Sequence, residues 1–120
     1  MHGLGELESA VMDVVWSAAR PIRVRDVLDQ LDTGRKLAYT TVMTVLDNLH
    51  RKGWVGRELE GKAYLYHATR TRAEVAARTL RDVLASSGDP EAALLHFVQS
   101  ASEEESVLLR KALRRKGGSR

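Results

Sequence analysis

Six polar side chains lie close together in the chain: Thr40, Thr41, Thr44, Asp47, Asn48 and Arg51. On a helix turning about 100° per residue, Thr40, Thr44, Asp47 and Arg51 share one side. Thr41 and Asn48 fall on its flank, and Tyr39 stands where such a helix begins. Hydroxyls and an amide can exchange hydrogen bonds with base edges, and a basic group beyond them suits a phosphate. The chemistry open to this set is recognition of a DNA groove. The same side would also serve as the solvated surface of an ordinary amphipathic helix.

Other chemistry finds little support. The chain has no cysteine, which removes disulfides, thiolate catalysis and every cysteine-based metal site. His2, His50, His67 and His96 are scattered without metal-ligand spacing, so neither a metal nor a cofactor is expected. No acid pair, nucleophile–base set or glycine-rich phosphate loop stands at usable spacing, which argues against an enzyme. The apolar runs are too short to cross a bilayer, and the amino terminus lacks a basic-then-apolar signal pattern. A cytoplasmic protein without membrane insertion is the expectation.

Charge is unevenly placed. The whole chain carries a formal +3. Residues 1–34 hold three arginines against six acids, a net of −3, whereas residues 35–70 hold seven basic residues against three acids, a net of +4. Positive charge thus gathers on the polar helix and on the residues that flank it toward position 70, as a phosphate-facing surface requires.

The elements that would position this helix can be read around it. Val42, Val45, Leu46 and Leu49 form its apolar stripe, and Lys52-Gly53 supplies a basic last turn and a stop. A first helix is expected from Gly5 to about Ala19, with Leu7, Val11, Val14 and Ala18 as its stripe. Met12 and Trp16 form a second apolar pair on its far side. A second helix is expected from Ile22 to Gly34, with Val24, Val27, Leu28 and Leu31 inward. Trp54–Leu59 and Ala63–His67 read as strands around Glu60-Gly61-Lys62, a hairpin signal. Lys62 at the tip is the wing residue placed for phosphate, with Arg57 next.

Beyond residue 70 only helices are expected. Thr71-Arg-Ala-Glu74 and Ser102-Glu-Glu-Glu105 open two of them, and Asp89-Pro90-Glu91 opens the one between. The last helix should run to Leu113, followed by a basic tail from Arg114 to Arg120. Three short helices, one apolar nearly all round, bury themselves poorly alone. A second copy of the chain is the simplest cover, and packing on the chain's own first domain is the alternative. The fold class is mainly α with a small β-hairpin. Residues 1–70 are expected as a winged helix-turn-helix domain, and 71–120 as a three-helix dimerisation domain with a basic tail.

Leu4–Trp16, Tyr39–Gly53 and Tyr64-Leu-Tyr66 together resemble the penicillinase and methicillin-resistance repressors, the BlaI/MecI family. The resemblance is strongest from Leu4 to His67. It implies a homodimeric repressor on a pseudo-palindromic, double-stranded operator, without enzymatic activity. Carried over by position, Tyr39, Thr40, Thr41 and Thr44 face the major groove, and Arg51 and Lys62 contact the backbone. Such repressors respond to β-lactams through a membrane sensor and a regulatory protease that cuts an Asn-Phe bond in the dimerisation domain. That bond falls on His96-Phe97 here, so the asparagine is absent. A copper-responsive branch carries a cysteine cluster, which this chain lacks. The rival from another class is a winged-helix adaptor that binds protein and no DNA.

Overall fold

The structure, a computed structural model, describes residues 3–32 and 36–118. Glu6–Ser17 forms α1. Glu8 accepts the Gly5 N–H at 3.0 Å, which satisfies one of the donors a helix start leaves free. The buried residues of α1 are Val11, Met12 and Val15, so the core stripe is rotated from the expected one. Met12, read as part of a second face, is fully buried, and Val14 sits at the margin. The reason is tertiary, because α1 packs against α2, α3 and the hairpin and is covered from more than one side. Trp16 meets Trp54 edge-to-face at 6.3 Å, and its indole N–H donates to the Arg70 carbonyl at 2.9 Å. It is held inside its own domain.

Helix α2 is Val24–Gln30. Ile22, expected to begin it, instead exchanges backbone hydrogen bonds with Tyr66 at 3.0 and 2.7 Å and adds a bridge to the hairpin. Arg23 is the extended cap, and its N–H donates to Asp26 at 3.1 Å. The bridge holds Ile22 in extended backbone, so the helix starts two residues late. The helix also ends early, at Gln30 with Leu31 as an extended cap, short of the expected run; the expected stop at Gly34, and Arg35 with it, lie outside the described residues.

Helix α3 is Tyr39–Arg51, with Val42, Val45, Leu46 and Leu49 buried as its spacing requires. Each such side chain contributes about 1.5–3 kcal/mol when fully buried. The helix ends in a Schellman motif. Gly53 takes φ +85°, the Trp54 N–H donates to Leu49 at 2.9 Å, and the Gly53 N–H donates to His50 at 3.1 Å. Strands β1 (Val55–Glu60) and β2 (Ala63–Ala68) pair antiparallel, from Val55 opposite Ala68 to Glu60 opposite Ala63. Gly61 at φ +64° in the first central position makes a two-residue turn and leaves Lys62 at the tip.

The chain divides into two compact units, Met1–Ala77 and Arg78–Arg120. The first holds the core just described. Helix α4 (Arg72–Ser86) opens with a reciprocal capping box, in which the Thr71 N–H donates to Glu74 at 3.1 Å and the Glu74 N–H donates to Thr71 at 3.0 Å. In the second unit, α5 (Pro90–Gln99) is capped by Asp89, which accepts the Ala92 N–H at 3.1 Å. Helix α6 (Glu103–Gly118) opens with the same box on Ser102 and Glu105. It continues well past Leu113, and the expected tail is helical to Gly118. Arginine and lysine form helices readily and complement the negative end of the dipole. No described residue of the second unit is buried. Leu80, Val83, Leu94, Leu95, Phe97, Val98, Val107, Leu108 and Leu113 are each about half exposed or more.

Candidate nucleic-acid interface

The outward side of α3 is built by its inward side. With Val42, Val45, Leu46 and Leu49 locked in the core, Thr40, Thr41 and Thr44 have no choice but to face out, and all three are exposed. Tyr39 opens the helix 43% exposed, and Met43 beside it is equally open. Lys62 stands exposed at the wing tip on the same domain. His96 and Phe97 lie within helical α5, in the other unit.

Arg51 is not a bare cation. Its Nε lies 3.6 Å from Asp47 Oδ2, and its Nη2 donates to the Asn48 side-chain oxygen. Both links are exposed, so the arginine can exchange them for a phosphate at little cost. Arg57 is differently placed. It donates to Asp47 Oδ1 at 3.1 Å and stacks on the Tyr64 ring at 4.3 Å. The Tyr66 hydroxyl, and after it Asp47, hold its guanidinium above the ordinary value, against desolvation. The sequence offered Arg57 as a wing contact, yet the structure uses it to tie the wing to α3.

Two features escaped the sequence reading. Arg25 lies 5.8 Å over the Tyr39 ring, and with Arg23 and Asp26 these residues line a cleft of about 390 Å³ at the start of α3. Averaging charge over residues 1–34 hid this local pair of arginines beneath the surrounding acids. The second is a brace across the domain. Lys52 Nζ, at the end of α3, lies 3.0 and 2.9 Å from the two Glu8 oxygens of α1. The Gly5 N–H and then Lys52 hold the Glu8 carboxyl below its ordinary value, against desolvation.

Among the described residues no cluster of His, Asp or Glu could hold a metal ion, and no helix is long and apolar enough to cross a membrane. The arrangement offers hydroxyl donors and acceptors flanked by cations.

Three helices, a two-stranded wing with a lysine at its tip and an outward polar α3 define a winged helix-turn-helix protein. The penicillinase repressor family matches residues 4–115. Over 113 residues, 92% of this chain and 82% of the relative, the sequence is 44% identical to the transcriptional regulator BlaI of Mycobacterium tuberculosis. The chain belongs to the penicillinase repressor family and is a transcriptional repressor. Its fold is similar to the solution structure of the DNA-binding domain of the repressor BlaI. That likeness has a TM-score of 0.52 and 24% identity, and covers 60% of this chain and 87% of that one. It also resembles Streptococcus pneumoniae FabT solved in complex with DNA. Here the TM-score is 0.50 and the identity 22%, over 97% of this chain and 75% of that one. The family and these neighbours are transcriptional regulators, not enzymes.

Proposed function

We propose that the chain binds a pseudo-palindromic operator as a homodimer and excludes RNA polymerase from the promoter. One observation carries this reading: α3 buries its four apolar residues and leaves Thr40, Thr41 and Thr44 as its open surface. Side chains of this length meet base edges when the helix lies in the major groove. Met43 adds apolar surface of the kind that packs on a thymine methyl. Tyr39 stands at the groove-facing start of the helix. Arg51, Lys62 and the Arg23–Arg25 cleft supply phosphate contacts, which give most of the affinity and make it fall steeply with salt.

The second unit supports the dimer. Helices that leave this many large apolar residues open need a cover, and a second copy duplicates the reading heads as a palindrome demands. Its membership of the penicillinase repressor family supports control of β-lactam-response genes, with release by a regulatory protease in the second unit. The position of the family's scissile bond, His96–Phe97, lies inside α5, so cutting there requires the helix to unwind first. A cut would turn two linked half-sites into two weak single ones.

The test is binding to an operator selected from a random DNA pool and to a random duplex. Thr44→Ala and Thr41→Ala should narrow the ratio of the two affinities. Arg51→Ala and Lys62→Ala should lower both together and flatten the salt slope by roughly 0.9 per lost contact. Equal losses on both duplexes for all four variants would contradict the division. Absence of binding to any duplex at low salt would point to a protein adaptor instead.

A further inference from the structure

Asp47 is an anomaly on a surface meant for phosphate. It lies on the outward side of α3, one turn beyond Thr44, with 47% of its side chain open. A carboxylate there repels the backbone of any duplex that approaches. A carboxylate accepts hydrogen bonds and donates none. A neutral residue at this position would raise affinity for DNA in general.

The two arginines it holds explain what the charge can do. Arg57 is fixed, with only 24% of its side chain exposed, stacked on Tyr64 and bonded to Asp47 at 3.1 Å. Arg51 is held less tightly, 70% exposed, 3.6 Å from Asp47 and joined besides by an exposed bond to the Asn48 side chain. A phosphate can therefore draw Arg51 off while Arg57 stays in place, leaving the carboxylate positioned by the wing and short of one partner. In the major groove the donors able to fill that vacancy are the exocyclic amines of cytosine and adenine. Elsewhere the charge is a net penalty.

We propose that Asp47 is a specificity-determining residue of the DNA surface. Anchored by Arg57, its carboxylate penalises every duplex, and the penalty is offset only where a base amine meets it. This rests on the reading of α3 as the recognition helix. Asp47 thus acts by lowering affinity for random DNA.

The test compares the full-length chain with Asp47→Asn and Asp47→Glu on the operator selected by the unaltered protein and on a random duplex. Affinities are measured between about 50 and 200 mM salt. D47N should bind the random duplex about eightfold more tightly at about 0.1 M salt, the effect of one added effective charge, with a slope steeper by about 0.9. Its operator-to-random ratio should fall. D47E keeps the charge and should keep the original slope. If thermal melting shows that D47N does not fold, Asp47→Ser repeats the comparison. A neutral variant that binds random DNA no better, with an unchanged slope, would reduce Asp47 to a structural pin and overturn the proposal while the recognition helix stands. Failure of the unaltered protein to bind any duplex would remove both.

Discussion

Replacing Glu8 tests how α3 is held, because this one carboxylate serves two elements. It caps α1 through the Gly5 N–H and grips Lys52 at the end of α3 with both oxygens. Its own side chain is 15% exposed and that of Lys52 is 49% exposed. Loss of a cap bond costs about 0.5–1 kcal/mol. The ion pair, discounted because Lys52 is half in water, adds about 0.5–1 kcal/mol. Glu8→Ala should therefore cost about 1–2 kcal/mol, and Glu8→Gln, which can still cap, only the ion-pair share. At about 4–8 °C per kcal/mol for a domain of this size, the alanine change should lower Tm by roughly 5–15 °C. The assay is thermal melting at fixed protein concentration across pH, with Lys52→Met completing a double-mutant cycle. The Glu8 carboxyl is depressed below its ordinary value of 4.5 in the folded protein. Its stabilisation is thus full above that value and is lost as pH falls through the lower folded one. The gap between the unaltered protein and Glu8→Gln must therefore close in acid. A gap that persists in acid, or additive effects of the Glu8 and Lys52 changes, would refute the brace.

Three further changes address the core, the surface and the second unit. Leu46→Ala removes a fully buried side chain and should cost about 2–5 kcal/mol in urea denaturation. Arg25→Ala removes the cation over Tyr39. It should weaken operator and random duplex alike and flatten the salt slope by about 0.9, as read from binding isotherms. Leu95→Glu places a charge on a side chain that is 56% exposed in the isolated chain. Sedimentation at micromolar concentration should show it as a monomer and the unaltered chain as a dimer.

Much of the fold was legible because periodicity and capping are local signals. The stripe Val42, Val45, Leu46, Leu49 faces the core as its spacing demands, and the Thr71, Asp89 and Ser102 caps all form. The misread parts depend on partners distant in sequence. Met12 lies at the centre of the core because α1 is covered on several sides, which no wheel drawn from α1 alone can reveal. Ile22 leaves the helix for Tyr66, 44 residues later, across a bridge that alternation in the second strand does not announce. On the outward side of α3, the types and placement of the threonines were readable. The pairing of Arg57 with Asp47 and Tyr64 was not, because a basic residue in a wing has the same sequence signature whether it meets phosphate or its own chain. Arg25 was obscured by the acids around it.

Methylation interference on the selected operator asks whether α3 reads the major groove in two half-sites, because guanine N7 lies on the major-groove edge. Methyl groups on N7 should abolish binding in two blocks whose centres lie about 10 bp, or a multiple of it, apart. Binding indifferent to N7 methylation, or sensitive in one block alone, would rule out a dimer that reads two half-sites through α3.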